Sequence, residues 1–226
     1  MTSRLTVSAI ALLGLAAGAF YLTQPEKAGA VELPNPTADA PKAAAPGEEK
    51  AVLAGGCFWG MQLVFEHVKG VKHVTAGYAG GTKETAEYEV VSSGTTGHAE
   101  SVEVTFDPSV VSYGQILKVY FGVAHDPTEL NRQGPDEGTQ YRSSIFFADP
   151  DQQKVAQAYI DQLQAAHVFP SPIVTTVTPL QGFYPAEDYH QDYAVHHPDN
   201  PYIVFNDLPK LADLKQDLPD LYVASN

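Results

Sequence analysis

The chain contains one cysteine, Cys57, among 226 residues, and this limits how its fold can be held together. A lone cysteine cannot form a disulfide within the chain, although exported proteins of this size often depend on disulfides. Its thiol is therefore either an inert buried side chain or a reactive group. Two glycines precede it and an aromatic pair follows it in the stretch GGCFWG, residues 55–60. That setting favours a reactive thiol.

The first fifty residues have the layout of an export signal followed by a linker. A positive start precedes an apolar run at residues 5–22, and residues 28–30 match the small-residue cleavage pattern. We therefore expect residues 1–30 to be a cleaved signal peptide of a periplasmic or extracellular protein. An uncleaved anchor is the alternative, because the run is near the lower length limit for a spanning helix. Residues 31–50 are rich in Pro and Ala, which predicts a flexible linker, and residues 51–226 then form one domain.

The formal net charge of −14 at pH 7 bears on the partners of the protein. A polyanion is a poor partner for nucleic acid or anionic lipid, because like charges repel. No stretch alternates basic and aromatic residues as a nucleic-acid surface does. We expect a monomer that does not bind nucleic acid.

Hydrophobic periodicity predicts strands and helices that alternate loosely along the chain. The predicted strands cover residues 51–54, 71–78, 101–106, 143–148 and 173–178. The predicted helices cover residues 57–69, 113–123 with Ser112 as N-cap, 150–167 and 208–218. Several links are too short for parallel crossovers, so the predicted fold class is α+β. We expect a mixed sheet flanked by helices, a two-layer sandwich with a ferredoxin-like core and a long irregular C-terminal region.

The predicted strand, glycine pair and helix place Cys57 at a helix N-terminus. Free backbone N–H groups and the helix dipole favour a thiolate there. Phe58 and Trp59 cannot both face the core, because successive helical residues point about 100° apart. At least one should line a cavity around the sulfur, where aromatic walls hold an apolar group such as a methyl; two core aromatics are the alternative.

Four polar residues could complete a site around this thiol. Glu100 immediately precedes the clearest predicted strand, and enclosure by aromatics would raise its pKa and make it a general acid. Tyr88 and Tyr141 could hold a polar oxygen, because a buried phenol donates a hydrogen bond without a charge. A solvated Glu100 and a surface ion pair between Asp136 and a neighbouring arginine are the alternatives.

The histidines leave other kinds of site open. Cysteine together with histidine suggests a cysteine hydrolase. The available partners for such a pair are His98, His125, His190, His196 and His197. The last three also resemble a metal cluster, but H-x5-H-H is not a standard ligand spacing, so we expect no metal.

Five motifs occur in a fixed order along the chain. They are GGCFWG at 55–60, GYAGG at 77–81, GTTGHAE at 94–100, HDPTELNRQGPDEGTQYRS at 125–143 and YPAEDYHQDY at 184–193. Together they resemble the peptide methionine sulfoxide reductases of the A type, from about residue 51 to residue 201. The resemblance implies reduction of methionine-S-sulfoxide, free or in damaged proteins.

The resemblance also implies a role for each site residue. Cys57 would attack the sulfoxide sulfur and become a sulfenic acid, while Glu100 would protonate the sulfoxide oxygen. Tyr88 and Tyr141 would hydrogen-bond that oxygen. The substrate-binding residues would be Phe58 and Trp59 at the methyl pocket, with Asp136 and His190 at the mouth.

One departure from the family concerns how the sulfenic acid is removed. Many members carry further cysteines that resolve it as a disulfide, whereas this chain has Ser92 where a second cysteine often follows the tyrosine. We therefore expect an external thiol, either thioredoxin-like or of low molecular weight, and no bound cofactor. A cysteine hydrolase and a catalytically inactive module that binds oxidised methionine remain as alternatives.

Overall fold

A computed structural model describes residues 33–224, in which short strands alternate with helices. The strands are β1 (Glu49–Gly55), β2 (Val71–Ala79), β3 (Ala99–Phe106), β4 (Arg132–Gln133), β5 (Asp136–Glu137), β6 (Ser143–Phe147), β7 (Thr176–Pro179) and β8 (Phe183–Pro185). The helices are α1 (Phe58–Glu66), α2 (Tyr88–Val91), α3 (Tyr113–Val119), α4 (Pro150–Ala165), α5 (Tyr193–His196) and α6 (Leu208–Asp217).

Six of the strands form one sheet in the order β7-β6-β1-β3-β2-β8. The four central strands pair antiparallel in the order of a ferredoxin-like core, with α1 connecting β1 to β2. The sheet is mixed because β7 joins β6 in parallel, while β8 joins β2 antiparallel. The predicted α+β class with a mixed sheet flanked by helices is confirmed.

The two faces of the sheet have cores of different size. Side chains of a strand point to alternate faces. Ala51 and Leu53 of β1 therefore belong to the main core with α1, α3 and α4, whereas Val52 and Ala54 belong to a small cluster with Phe146. The helices thus cover mainly one face, and the first turn of α1 lies at the end of β1.

Local capping signals behave as the sequence predicts. Ser112 accepts a hydrogen bond from the Gln115 backbone N–H and forms a capping box at the start of α3. Asp149 caps α4, and Pro150 occupies the first turn. The helix predicted over residues 113–123 ends at Val119 and continues as a π-helical turn to Ala124.

Residues 33–47, which the composition predicts to be flexible linker, instead contact the folded domain, and residues 33–39 lie along α3 and α4. Leu33 is buried in the main core, and the Tyr159 hydroxyl donates to the Pro34 carbonyl at 2.9 Å. The Asp39 carboxylate accepts a hydrogen bond from the Gly114 N–H at 2.9 Å. The prediction of a free linker is wrong for these residues, because distant side chains supply partners that composition does not reveal.

The C-terminal region is more regular than expected. The helix predicted near residues 208–218 is confirmed as α6, and β8 extends the edge of the sheet. Hydrophobic alternation does not predict β8, because its three residues are too few to show the pattern. β7 lies at 176–179 rather than 173–178, and the predicted loop 125–142 contains the short β4–β5 pair.

No helix within residues 33–224 is both long and apolar enough to cross a bilayer. The predicted signal peptide or anchor, residues 1–30, lies outside the described residues.

Candidate active site

Cys57 sits in a tight turn between β1 and α1, where it is the N-cap of the helix. Gly56, which precedes Cys57, has φ +91°. A residue with a side chain would be destabilised by roughly 1 kcal/mol or more in this conformation. A Cβ on Gly56 would also lie 2.5 Å from Cγ of Gln133. This explains the glycine. Cys57 itself is 8% exposed and lines a cavity.

Glu100 at the start of β3 faces the same turn and is 3% exposed. Its Oε2 accepts the Phe58 backbone N–H at 3.1 Å, which ties the carboxyl to the first turn of α1. Burial raises the pKa of Glu100 to about 8. The hydrogen bond from the Phe58 N–H lowers this pKa, and the charge of Asp136 raises it further. Glu100 is therefore protonated at neutral pH and can act as a proton donor.

The pKa of Cys57 moves in the direction opposite to the one predicted from its position. The Trp59 backbone N–H does lower it, as expected for a helix N-terminus. Burial and the nearby carboxyls of Glu100 and Asp207 outweigh this and raise the pKa of the thiol well above its ordinary value. The resting site therefore pairs a neutral thiol with a neutral acid, and the helix end alone does not produce a thiolate.

A cavity of about 190 Å³ opens over the sulfur. Its lining residues are Cys57, Phe58, Trp59, Tyr88, Glu100, Asp136, Tyr141 and Tyr202. Both aromatics that follow the cysteine thus reach the cavity. Clefts of similar or larger size elsewhere in the described chain lack a thiol, so chemistry rather than size identifies this site.

The indole of Trp59 is fixed on several sides by the C-terminal region. Tyr193 stacks on it with ring centroids 3.8 Å apart and planes at 9°, and Tyr202 meets it edge-on at 5.9 Å. The Trp59 Nε1–H donates to Nδ1 of His190 at 3.2 Å. Three neighbouring side chains therefore hold the indole in place without a ligand.

Tyr88 and Tyr141 reach the cavity from separate segments. Tyr88 is the first residue of α2, and Tyr141 ends a short 3-10 turn before β6. Burial, reinforced by Glu100, raises the pKa of both phenols. Both stay neutral and can donate hydrogen bonds to an oxygen held between them and Glu100.

Asp136 lies in β5 and forms no ion pair with Arg132 or Arg142. The Tyr202 hydroxyl donates a hydrogen bond to its Oδ2. Burial raises the pKa of Asp136, although this hydrogen bond and Lys210 lower it. Sequence reasoning missed Tyr202; the only signal was the aromatic character of the C-terminal region, which does not single out one tyrosine.

His190 does not line the cavity, although the resemblance implied a position at its mouth. It is 2% exposed and lies behind the wall, with its ring 5.0 Å from that of Phe58 and 4.4 Å from that of Tyr88. The adjacent Tyr189 is exposed, but it does not line the cavity either. His190 therefore contacts the walls of the site and does not reach its contents.

The hydrolase alternative needs a histidine beside the thiol. His125 instead bonds the Ser143 hydroxyl at 2.7 Å and the Tyr120 carbonyl at 2.9 Å, and His98 bonds the Gly81 and Thr82 backbone. Within residues 33–224 no imidazole hydrogen-bonds to Sγ of Cys57, and no three potential ligands are grouped to hold a metal. Among neighbouring charged groups, the carboxyl of Glu100 has the largest effect on the pKa of the thiol.

The fold and this site define a cysteine-dependent oxidoreductase that transfers oxygen between sulfur atoms. The family model for peptide methionine sulfoxide reductase matches residues 49–220, and the chain belongs to that family. The chain is 62% identical over 179 residues to peptide methionine sulfoxide reductase MsrA 2 of Mesorhizobium japonicum, covering 79% of this chain and 92% of the relative. The MsrA 2 of Synechocystis sp. is 50% identical over 210 residues, covering 92% and 96%.

Two solved structures are similar to the fold. Reduced Mxr1 from Saccharomyces cerevisiae superposes with a TM-score of 0.62 at 29% identity, covering 71% of this chain and 94% of Mxr1. Methionine sulfoxide reductase A of Corynebacterium diphtheriae superposes with a TM-score of 0.58 at 36% identity, covering 74% and 84%. The activity of the chain is thus that of a peptide-methionine (S)-S-oxide reductase, and the hydrolase and binding-module alternatives are not favoured.

Proposed function

We propose that this enzyme reduces methionine-S-sulfoxide by direct oxygen transfer to Cys57. The observation that carries the proposal is the meeting of the thiol with a buried, protonated Glu100 in one aromatic cavity. Sγ of Cys57 bonds to the sulfoxide sulfur while Glu100 gives its proton to the oxygen and takes up the proton that the thiol loses. The S–O bond of the substrate then breaks as the OH group moves to Sγ, and the S–S bond breaks with its electron pair left on the methionine sulfur. Overall the oxygen moves to Cys57 as a sulfenic acid: methionine is reduced by two electrons and Cys57 is oxidised by two.

The cavity walls divide the substrate between apolar and polar partners. Phe58 and Trp59 hold the methyl group, and Tyr88 and Tyr141 hold the oxygen beside Glu100. With both groups held, only one epimer presents its sulfur to the thiol, which gives selectivity for the S epimer. Asp136, aligned by the Tyr202 hydroxyl, accepts a hydrogen bond from the substrate backbone at the mouth.

The sulfenic acid is resolved by a thiol from outside the chain. The sequence holds no second cysteine, so an internal disulfide cannot form. A thioredoxin-like protein or a low-molecular-weight thiol attacks the oxidised Cys57, and no bound cofactor is needed for either step. Completion of a turnover without dimedone-reactive Cys57 before reductant is added would contradict this route.

We infer that the enzyme is exported and repairs oxidised exported proteins as a monomer. The support is the signal-like layout of residues 1–30, with cleavage favoured over an anchor. Processing is tested by mass determination of the protein recovered from the periplasm and membrane of a bacterial host.

The decisive experiment uses resolved S and R epimers of a methionine sulfoxide peptide with dithiothreitol. We expect turnover of the S epimer only. Cys57→Ser abolishes it, and Glu100→Gln slows it by on the order of 10²–10⁴-fold, the usual contribution of a general acid. Glu103→Gln on the same strand is the matched control and retains activity. Equal turnover of both epimers, or an active Cys57→Ser, contradicts the proposal.

A further inference from the structure

The carboxylate of Glu187 joins two parts of the site although Glu187 is not among the cavity residues. Its Oε1 accepts the Tyr88 backbone N–H at 2.9 Å, and its Oε2 accepts the Tyr78 hydroxyl at 2.9 Å. α2 has no side-chain cap from its own N-cap residue, Glu87. A residue 99 positions along the chain from Tyr88 therefore caps the helix that begins with the oxygen-binding tyrosine.

The backbone of Glu187 leads to the methyl side of the cavity. Its carbonyl accepts the His190 N–H at 2.9 Å and starts the short 3-10 turn Asp188–His190. That turn places Nδ1 of His190 3.2 Å from the indole nitrogen of Trp59. The imidazole also packs against the Tyr88 ring at 4.4 Å. One residue thus connects the position of Tyr88 with that of Trp59.

The sheet holds Glu187 where it can make these contacts. β8 pairs Tyr184 with Tyr78 of β2, and the Ala186 N–H donates to the Ala76 carbonyl at 2.9 Å. Burial works to raise the pKa of Glu187, but the hydrogen bonds from Tyr88 and Tyr78 lower it overall. The carboxylate is ionised, and hydrogen bonds to a charged acceptor are stronger than neutral ones.

We propose that Glu187 is a positioning residue for sulfoxide reduction, which keeps the oxygen-binding Tyr88 and the methyl-binding Trp59 at a fixed separation across the cavity. The inference rests on the roles proposed above for those two side chains. Glu187 itself does not touch the substrate. Its function is to keep the two walls from moving independently when the sulfoxide enters.

The first test compares Glu187→Ala with Glu187→Gln. The alanine variant loses both side-chain hydrogen bonds. We expect its kcat/KM for the S-sulfoxide peptide to fall about 10- to 100-fold, because a small displacement of catalytic groups causes a loss of this size. The amide of the glutamine variant can still accept from the Tyr88 N–H and donate to the Tyr78 oxygen, so it recovers most of the loss. Asp188→Asn removes one charge from the same turn and is the control with unchanged kinetics.

A double-mutant cycle separates positioning from general stability. If Glu187 acts by placing the Tyr88 hydroxyl, Glu187→Ala costs much less in kcat when Tyr88→Phe has already removed that hydroxyl. A merely structural residue gives the same fold-loss in both backgrounds. The proposal is overturned if the effects of Glu187→Ala and Tyr88→Phe on kcat are additive. It is also overturned if Glu187→Ala lowers the melting temperature but leaves kcat/KM within twofold of the parent.

Fluorescence provides a readout that does not depend on activity. Trp59 is the only tryptophan in the chain, so emission excited at wavelengths beyond tyrosine absorption reports the surroundings of Trp59 alone. We expect Glu187→Ala to increase acrylamide quenching of Trp59, and Glu187→Gln and Asp188→Asn to leave it unchanged. Unaltered quenching in the alanine variant contradicts the link to Trp59. Absence of turnover in the unmutated protein would contradict the proposed function. Acrylamide quenching would in that case still test whether Glu187 holds the indole of Trp59 in place.

Discussion

Glu100 and Glu187 carry the same carboxyl group but hold different charge states at neutral pH. Glu100 is enclosed with one backbone donor, and burial raises its pKa to about 8. Glu187 receives hydrogen bonds from Tyr88 and Tyr78, and its pKa is lowered despite partial burial. The neutral carboxyl can give a proton, and the charged one can hold two donors in place. Residue type alone does not assign either role.

The ionisation of Glu100 predicts the pH dependence of the reaction. Its raised pKa means that the acid form is present below about pH 8 and is lost above it. We expect kcat/KM for the S-sulfoxide peptide to fall as pH rises through 8, because the general acid then carries no proton. Steady-state kinetics from pH 6 to 10 check this.

Two variants show whether that decline belongs to Glu100. Glu100→Gln should be slow at every pH and lack the decline near pH 8, while Glu103→Gln should keep the parent profile. A kcat/KM that rises through pH 8 would mean that ionisation of Cys57, not loss of the acid, governs the reaction.

Helix α1 has the nucleophile as its N-cap and the methyl wall in its first turn, so this turn must be held firmly. Gly60 in this turn lies against Asp207, which is fully buried and pairs with Lys210 at 3.4 Å. A Cβ on Gly60 would lie 2.1 Å from Oδ1 of Asp207. The contact joins α1 to the turn that precedes α6, and it leaves no room for a side chain.

Gly60→Ala is therefore expected to destabilise the protein. Alanine in a helix is worth about 1 kcal/mol more than glycine, but overpacking against a buried ion pair costs about 1–3 kcal/mol. We expect a net loss in the free energy of urea unfolding together with lower kcat/KM. Gly47→Ala is the control, because its Cβ would meet Pro108 only at an ordinary 3.7 Å. A Gly60→Ala protein as stable as the parent would show that Asp207 moves aside easily.

Across the whole molecule, several buried groups bind protons differently in the folded and unfolded states. Burial raises the pKa of Glu66 and of Glu100 to about 8 and that of Asp207 to about 6. Burial lowers the pKa of His125 to about 4. The three carboxyls are protonated in the folded state at pH values where they are ionised in the unfolded chain. His125 is neutral in the folded state at pH values where it is protonated in the unfolded chain.

These shifts predict how stability varies with pH. Above the ordinary carboxyl pKa the folded state holds more protons than the unfolded state, so the free energy of unfolding decreases as pH rises from about 5 to 8. His125 opposes this below its ordinary pKa but is outnumbered by the carboxyls. Urea titrations at several pH values measure the slope. Glu100→Gln should reduce it and Glu103→Gln should not; stability that increases from pH 6 to 8 would contradict the assignment.

The local elements of the fold could be predicted because their signals lie within a few residues. Alternation identified the strand that became β3, and Ser112 was recognised as the cap of α3 from the residues beside it. The turn that sets Cys57 at a helix start follows from two adjacent glycines. β8 and the packing of residues 33–47 could not be predicted, because both depend on partners far along the chain.

The sequence by itself determined the lone nucleophile, the α+β pattern and the ordered motifs that identify the family. Only the tertiary structure decided the electrostatics and the neighbours of each site residue. Glu100 is 42 positions from the N–H that it accepts, and His190 is 131 positions from the indole that it orients. Burial and charge act through space, so the raised pKa of Cys57, the withdrawn position of His190 and the presence of Tyr202 arise only when these segments meet.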